Sequence, residues 1–327
     1  MPGSKVPALR GTVVCVGEAL VVLTPTEDVP LADAETFTRT VGGAELNVAL
    51  TLGRLGVDVA WVSRLGDDGF ADHVRDLATT AGIDVSAVAT DPVRPTGLYV
   101  KAPGTAADGS RRSRMHYYRS ESAAAALSTA DLDDPAVTAV LARASVVHVS
   151  GITAGLSASA AQFCATLTER VHASGTTLSV DLNHRPVLWR DRDDAPLRAL
   201  AAAADELLLG ADEARAVFGT DDPARLRGLF PRARRILLKQ EEHGVLVLEP
   251  GAPDRHVPAL TVDVVEPVGA GDAFAAGYLA ARQRDLPVDA AVAFGHRCAA
   301  AALVVRADRP LDVPALPGTP ADGPSRP

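Results

Sequence analysis

Short apolar runs alternate along this chain with longer segments in which apolar side chains recur at helical spacing. The runs predict buried β-strands at residues 13–16, 59–62, 146–149, 177–180, 206–209, 236–238 and 244–248. The longer segments predict α-helices at residues 44–55, 70–81, 157–174, 195–204, 211–218 and 288–305, with another helix after Asp272. Strands that alternate with helices are typical of an α/β fold with a mostly parallel central sheet.

Two segments interrupt this alternation. Residues 18–40 are turn-rich, and residues 92–119 contain alternating apolar and polar positions around a charged turn at 107–112. Alternation of this kind predicts strands. We expect the two segments to pair as a small β-sheet that forms a lid over the main domain.

The length and composition set the domain organisation. With 327 residues, 47% of them hydrophobic, the chain can form one large core. We place the domain at residues 12–307, after an N-terminal tail at 1–11. Residues 308–327 are rich in Pro, Asp and Gly, a composition that predicts a disordered tail.

Charge and cysteine usage exclude several classes of protein. A formal net charge of −9 argues against a nucleic-acid partner. We find neither an apolar run long enough for a membrane span nor the apolar core of a signal peptide. Cys15, Cys164 and Cys298 are scattered without metal-ligand spacing, which favours reduced thiols. We therefore expect a cytoplasmic protein without a membrane partner.

One glycine-rich turn carries the clearest chemical information. The string Gly269-Ala270-Gly271-Asp272 follows an apolar stretch and leads into an Ala-rich helical pattern. The free N–H groups at the start of such a helix bind anions. A carboxylate beside them can accept a proton from a hydroxyl, so the pair suits phosphoryl transfer. An ordinary turn with an aspartate cap explains the same four residues, and the motif alone leaves both interpretations open.

A second glycine motif precedes the first long predicted helix. Gly42 and Gly43 are adjacent, so a ligand hydroxyl could approach the backbone closely, and Asn47 offers both a donor and an acceptor. Other motifs also follow predicted strands, at residues 17–18, 150–151 and 181. Because the carboxyl ends of parallel strands share one rim of a sheet, we expect a ligand site there. Neither a P-loop nor a dinucleotide-binding glycine fingerprint is present in the sequence.

Together, the two glycine motifs resemble the N-terminal and C-terminal signatures of the ribokinase-like (PfkB) carbohydrate kinases. The resemblance runs from about residue 12 to residue 307. It implies a ribokinase-like three-layer α/β/α domain with a small β-sheet lid. It also implies ATP-dependent phosphorylation of a sugar, with Asp272 as the catalytic base and Gly269, Ala270 and Gly271 as the anion hole.

Within the family, several strings look like those of 2-keto-3-deoxygluconate kinases: residues 17–20, 96–99, 117–120, 148–153 and 181–185. This implies a sugar acid as acceptor, phosphorylated on its primary hydroxyl. The substrate-binding residues implied by the resemblance are Gly42, Gly43, Asn47, Tyr99, Tyr117, Arg119, Arg185 and Asp272. Guanidinium groups suit the acid's carboxylate, although either arginine could instead lie at the surface or contact phosphate.

The resemblance further implies ATP with Mg²⁺ as cofactors, and it leaves a monovalent cation open. The implied nucleotide-binding residues are Asn183, Lys239, Gly244, Gly269, Gly271 and His296, and Glu213 is implied as a metal contact through water. Four positions depart from the family pattern. Gly210 and His296 replace asparagines, Glu241 replaces a glycine, and Glu266 replaces an aspartate. A carboxylate at position 241 would repel a triphosphate, and its β-carbon would be strained if the backbone needs positive φ.

Two alternatives remain open from the sequence. The acceptor could be fructose, ribose or a nucleoside, or the chain could bind a sugar acid without phosphorylating it. The exposed edge of a lid sheet also favours pairing with a second copy, so we expect a homodimer or higher homo-oligomer.

Overall fold

The computed structural model describes residues 11–102, 104, 114–305 and 307–317. Its strands are β1 (Thr12–Val16), β2 (Leu20–Pro25), β3 (Phe37–Gly42), β4 (Val59–Gly66), β5 (Val88–Asp91), β6 (Leu98–Ala102), β7 (Arg114–Tyr118), β8 (Ala144–Ser150), β9 (Thr177–Asp181), β10 (Glu206–Gly210), β11 (Arg235–Lys239), β12 (Val245–Leu248) and β13 (Arg255–Val257).

The α-helices are α1 (Ala44–Arg54), α2 (Gly69–Thr80), α3 (Pro135–Ala142), α4 (Gly151–Gly155), α5 (Ala158–Ser174), α6 (Pro186–Trp189), α7 (Ala195–Ala203), α8 (Ala211–Phe218), α9 (Pro223–Leu229), α10 (Ala270–Arg282) and α11 (Val288–Leu303). Short 3₁₀ helices lie at Leu31–Asp33, Ala124–Ala126, Thr129–Asp133 and Glu241–His243.

The large sheet forms the middle layer. Its strand order is β13-β12-β11-β10-β9-β8-β1-β4-β5, parallel from β5 to β11, with β12 and β13 antiparallel at one edge. The residues of β1 are buried and alternate between two apolar clusters. One cluster contains α1, α2, α10 and α11, and the other contains α3, α5, α7 and α8. This arrangement confirms the predicted three-layer α/β/α fold.

The small sheet confirms the predicted lid. It has the order β3-β2-β6-β7 and is formed by the two segments that interrupt the α/β alternation. The carboxylate of Asp68 caps α2 through Phe70 and Ala71, and it also accepts a hydrogen bond at 2.8 Å from the Thr96 N–H just before β6. This contact ties the lid to the main domain. The charged turn predicted at 107–112 lies outside the described residues.

The C-terminal segment differs from the sequence-based expectation. Disorder was predicted from residue 308, but residues 307–317 lie against the domain. Leu316 is buried in the apolar cluster of α1 and α10, and the Asp308 side chain is 5% exposed. The composition misleads here because a few apolar contacts and one buried ion pair suffice to hold the segment. The rest of the predicted tail, residues 318–327, and residues 1–10 lie outside the described part of the chain.

None of the helices within the described ranges has the length and apolar character needed to span a membrane.

Candidate active site

A cavity of about 520 Å³ lies where the carboxyl ends of β9, β10 and β11 meet the N-terminus of α10 and the lid. Many of the residues predicted for the site line it: Gly43, Asn47, Tyr99, Tyr117, Arg119, Asn183, Arg185, Glu213, Lys239, Gly269, Gly271 and Asp272. Gly42, Gly244, Ala270 and His296 do not line this cavity. The sequence-predicted residues therefore meet at one rim of the sheet, with four exceptions.

The N-terminus of α10 lies at the cavity wall, at the position of the predicted anion hole. Gly269 is the N-cap residue, with φ of 82°, and a β-carbon at this position would overlap the carbonyl group of Asp308. Only glycine fits here without strain. Ala270, Gly271 and Asp272 form the first turn of a 13-residue helix, where backbone N–H groups lack intrahelical acceptors. The turn therefore offers N–H donors at the cavity wall.

Asp272 lies beside these donors, and its surroundings prepare it to accept a proton. The pKa of its carboxyl is raised to about 7, mainly by burial and also by nearby Asp181 and Glu45, whereas Asn47 and Arg185 oppose the rise. Asn47 Nδ2 donates to Asp272 Oδ2 at 2.9 Å. A carboxylate with a pKa near neutrality is a stronger base than an ordinary surface aspartate.

A buried carboxylate fixes the helix that carries Asn47. Glu45 Oε1 accepts hydrogen bonds from the Ser150 N–H at 2.8 Å, Ser150 Oγ at 2.7 Å and Thr153 Oγ1 at 2.8 Å. These contacts anchor the start of α1 to the end of β8. Burial raises the pKa of Glu45 even though the Ser150 and Thr153 donors lower it. Glu45 thus holds Asn47 in position next to Asp272.

Close to the start of α10, where its Nζ lies 3.8 Å from the position that a β-carbon on Gly271 would take, Lys239 forms an ion pair with Asp181. Its Nζ lies 2.9 Å from Asp181 Oδ1 and 3.0 Å from Oδ2. Burial alone would lower the pKa of Lys239, but Asp181, Glu213 and Asp272 raise it, so the amine keeps its charge. Asn183 follows β9 in a left-handed conformation, with φ of 40°. A cation and an amide are therefore available at this end of the cavity.

The carboxylate of Glu213 caps α8. Its Oε2 accepts from the Gly210 N–H at 2.7 Å, and its Oε1 accepts from the His184 N–H at 2.9 Å. Within the described ranges, no cluster of three or more His, Cys, Asp or Glu residues could hold a metal ion. The structure therefore gives Glu213 a role in helix capping, and its contact with Mg²⁺ through water stays a prediction.

At the lid end of the cavity, the predicted sugar-binding residues have acidic partners that sequence analysis missed. Arg119 Nη1 donates to Glu18 Oε1 at 2.5 Å, and the guanidinium lies 4.8 Å from the centre of the Tyr117 ring. The Tyr99 hydroxyl donates to Asp308. Glu18 belongs to the motif at residues 17–18 that was predicted to lie at the rim of the sheet, so a signal for it was present in the sequence. Asp308 belongs to the segment predicted as disordered, so no signal pointed to it.

Lys101 on β6 joins this acidic group. Its Nζ lies 3.0 Å from Asp308 Oδ1 and 2.8 Å from Glu266 Oε2. Burial raises the pKa of Asp308 to about 7, while Arg309 lowers it. The lid is thereby connected to the loop before the anion hole and to the C-terminal segment.

Two of the predicted nucleotide-binding residues, Gly244 and His296, lie outside the cavity wall, and their contacts with the nucleotide stay predictions. Glu241 lines the cavity with φ of 50°, so the left-handed backbone considered for this position is present. Gly244 has φ of 117°, and a β-carbon there would overlap Val257, so its requirement comes from packing between strands. His296 is buried away from the cavity wall, and its Nε2 lies 3.2 Å from the Val257 carbonyl oxygen.

The fold and this site define a class of protein. A doubly covered parallel sheet, a lid, an anion hole and a carboxylate base within one cavity are the components of a phosphotransferase that acts on a small hydroxyl-bearing substrate. The pfkB family carbohydrate kinase model matches residues 10–313. The chain therefore belongs to the pfkB family of carbohydrate kinases.

Individual relatives support this assignment but differ in substrate. A 2-dehydro-3-deoxygluconokinase of Bacillus subtilis is 31% identical over 92% of this chain and 91% of its own length. A fructokinase of Zea mays is 31% identical over 83% of this chain and 82% of its own. The match in sequence thus shows a sugar kinase without selecting the sugar.

Solved structures agree with the fold. The crystal structure of a 2-dehydro-3-deoxygluconokinase from Thermotoga maritima aligns with a TM-score of 0.82 at 22% identity, over 92% of this chain and 96% of that one. A Xylella fastidiosa fructokinase with bound ATP aligns with a TM-score of 0.78 at 26% identity, over 91% and 95%. Related structures therefore include an ATP complex, and one E. coli relative of the ribokinase II type holds both ATP and Mg²⁺.

Proposed function

We propose that this carbohydrate kinase transfers the γ-phosphoryl group of ATP to the primary hydroxyl of 2-keto-3-deoxygluconate, forming its 6-phosphate. The observation that carries the proposal is the position of Asp272, a carboxylate with a raised pKa at an anion-binding helix start, in one cavity with Arg185 and Arg119. The first two features serve phosphoryl transfer. The guanidinium group of Arg185 serves an acceptor that carries a carboxylate.

On the acceptor side, Arg185 is the proposed partner of the carboxylate. Among the cavity-lining bases that the structure describes, Lys239 is paired with Asp181 and Arg119 with Glu18. Arg185 donates to the backbone carbonyl of His184 at 3.4 Å and is exposed to the cavity solvent. Its charge is therefore the one available to an incoming acid.

The remaining polar groups would orient the sugar. Asn47 and the Tyr117 hydroxyl line the same wall and can donate to or accept from the keto group and hydroxyls. Asp308 holds the Tyr99 hydroxyl, which fixes the ring of Tyr99 against the cavity. Such fixed contacts place the primary hydroxyl near Asp272, and positioning of this kind accounts for much of the rate of phosphoryl transfer.

In the chemical step, the substrate oxygen attacks the γ-phosphorus while its proton passes to Asp272, and the bond from the γ-phosphorus to the bridging oxygen of ADP breaks. The N–H groups of Gly271 and Asp272 at the helix start stabilise the charge on the transferring group. The lid excludes water, which limits wasteful hydrolysis of ATP.

Three carboxylates at the carboxyl ends of β9 and β10 would contact a hydrated Mg²⁺ that accompanies ATP. Asp181, Asp212 and Glu213 line the cavity there, and their oxygens are suitable acceptors for the water molecules that hydrate this ion. When bound, Mg²⁺ neutralises charge on the phosphates. Lys239 would contact the same phosphates, and Asn183 the nucleotide.

The experiment that tests the proposal is ATP turnover with purified protein and Mg²⁺, comparing 2-keto-3-deoxygluconate, fructose and ribose at matched concentrations. A kcat/KM for the keto acid at least about tenfold above either neutral sugar supports the acid as substrate. Turnover of neutral sugars alone contradicts the acceptor but keeps the kinase mechanism. Absence of turnover with all three, while the keto acid binds, would favour a sugar-acid-binding protein without kinase activity.

One observation favours a neutral acceptor as the second candidate. Arg119 already forms an ion pair with Glu18, so its charge is compensated before any substrate arrives. A neutral hexose such as fructose needs hydroxyl partners, and this pair can provide them. The same turnover assay decides between fructose and the keto acid.

We also propose that the chain acts in the cytoplasm as a homodimer paired through the edge of the lid sheet. Tyr118 at the end of β7 and Phe37 at the start of β3 are exposed on that sheet. Exposed large apolar side chains of this kind often mark contacts between proteins. Light scattering of wild type and a Tyr118→Lys variant tests the dimer, since the variant should shift the protein to monomer. Dependence on a monovalent cation is tested by replacing K⁺ with a large organic cation in the turnover assay.

A further inference from the structure

Glu18 is a buried acid at the sugar end of the cavity whose charge the proposed mechanism does not use. It directly follows the β1 end motif, is 1% exposed and lines the cavity. Its Oε1 accepts from Arg119 Nη1 at 2.5 Å. Its Oε2 is buried and has no hydrogen-bond partner among the described residues. A buried carboxylate oxygen without a partner is costly, and because Oε2 is enclosed by protein, Glu18 acts on a ligand in the cavity through its charge.

The charge of Glu18 is itself unfavourable at this position. Its pKa is raised to about 7, mainly by burial and also by the neighbouring carboxylate of Glu45, whereas Arg119 opposes the rise. The ionised form thus depends on Arg119. Conversely, Arg119 is 9% exposed and depends on Glu18 for its counter-charge, since a buried guanidinium without a partner is strongly destabilising.

An anionic acceptor changes this balance. If its carboxylate approached Arg119, two carboxylates would share one guanidinium, and their repulsion would oppose binding. A neutral hydroxyl would meet no such repulsion. The ion pair therefore suits uncharged oxygens of the sugar, and it directs the acid group toward Arg185.

We propose that Glu18 is a specificity-determining residue. As the fixed counter-ion of Arg119, it reserves the lid end of the cavity for uncharged sugar oxygens. It thereby sets how strongly the enzyme prefers neutral groups over carboxylates at that end. This inference rests on the proposed sugar-acid kinase function. It assigns Glu18 an electrostatic role at the lid end of the cavity and leaves the carboxylate to Arg185.

The test is the variant Glu18→Gln, which keeps the shape and the acceptor atom but removes the charge. The exposed acid Glu121, two residues beyond Arg119, provides the matched control Glu121→Gln with the same change in net charge. KM and kcat are measured for 2-keto-3-deoxygluconate and for its uncharged carboxamide. Binding of the keto acid without ATP is measured by calorimetry.

We expect Glu18→Gln to lower KM for the keto acid by about tenfold relative to KM for the carboxamide, because one like charge has been removed nearby. The dissociation constant of the keto acid should fall by the same factor. Glu121→Gln and the charge-conserving Glu18→Asp should keep the wild-type ratio of the two KM values. Equal changes for both acceptors, or weaker binding of the keto acid, would assign Glu18 a structural role and overturn the inference.

Two further outcomes are separable. If wild type phosphorylates fructose but not the keto acid, the proposed substrate is wrong. Calorimetry still measures whether Glu18→Gln strengthens binding of the acid, and an unchanged affinity overturns the inference. If Glu18→Gln does not yield folded protein, the double variant Glu18→Gln, Arg119→Gln replaces it. In that variant the pair is neutral, as in wild type, so acid affinity near the wild-type value supports the inference and a tenfold gain contradicts it.

Discussion

Replacing Asp272 by Asn should abolish catalysis and stabilise the protein at the same time. Asn has nearly the same shape and can accept the hydrogen bond from Asn47, but it cannot take a proton from the acceptor hydroxyl. We expect kcat to fall at least about a hundredfold, the usual scale for loss of a general base. The gain in stability follows because the substitution removes a charge that the cavity disfavours.

The size of that gain can be worked out from the pKa shift. Folding raises the pKa of Asp272 from 3.8 to about 7, mainly through burial. At about 1.4 kcal/mol per unit, the shift costs at most about 4 kcal/mol above pH 7. The side chain is only partly buried and the cavity admits water, so we discount this to about 2 kcal/mol.

The sign of the difference in stability between Asp272→Asn and wild type follows from its dependence on pH. Below pH 4 the carboxyl is protonated in both folded and unfolded protein, so charge contributes no difference between wild type and Asp272→Asn. Between pH 4 and 7 the unfolded state gains stability by ionising first, and the difference grows. Above pH 7 it is constant. Urea unfolding at pH 4.5, 6 and 8 measures this, and kcat/KM of wild type should fall tenfold per unit below an apparent pKa of about 7.

Asp181 supplies a control of opposite sign. Its carboxylate pairs with Lys239 at 2.9 Å, so Asp181→Asn leaves a buried cation without its partner and should destabilise the protein. If Asp272→Asn is less stable than wild type at pH 8, or if its stability difference does not vary with pH, the reasoning about burial of the base is refuted. Near-normal turnover would refute the role of Asp272 as the base.

Three other changes test separate parts of the structure. Arg185→Ala should raise KM for a sugar acid at least about tenfold and leave KM for ATP nearly unchanged in steady-state kinetics, whereas equal effects would move Arg185 to the phosphate side. Glu241→Gly should lower KM for ATP several-fold, because it removes a like charge and a strained left-handed residue. Glu242→Gly, on the same 3₁₀ helix but outside the cavity wall, should leave KM for ATP unchanged, and equal KM values in the two variants would exclude the charge effect. Leu316→Ala should lower the free energy of unfolding by about 3 kcal/mol if the C-terminal segment is packed, and an unchanged urea midpoint would show that the segment contributes nothing to stability.

Much of the domain was already determined by local pattern. The apolar run at 13–16 and the helical spacing at 157–174 reappear as β1 and α5 within one or two residues, because strong periodicity and a buried environment favour the same element. Shorter elements were missed. The strand β13 has three residues, with Arg255 and His256 among them, and pairs only because β12 offers it an edge. Such an element has too few apolar positions to leave a pattern.

Within the site, sequence motifs identified residues but not their partners. Gly269, Gly271 and Asp272 are adjacent in the chain, so one local turn brings the donors and the base together. The contacts of Arg119 with Glu18 and of Tyr99 with Asp308 join residues that are far apart in sequence. No local rule relates them.

The sequence by itself therefore determined the layered α/β fold and the glycine-rich turn at the start of α10, since both depend on short-range periodicity and on glycine next to a helix start. Only the tertiary structure decided which charges face each other. It raised the pKa of Asp272 by burial, compensated Arg119 with Glu18, and placed Asp308 against the lid. Burial and electrostatic pairing depend on distances in space between remote segments, and these distances arise only when the layers pack.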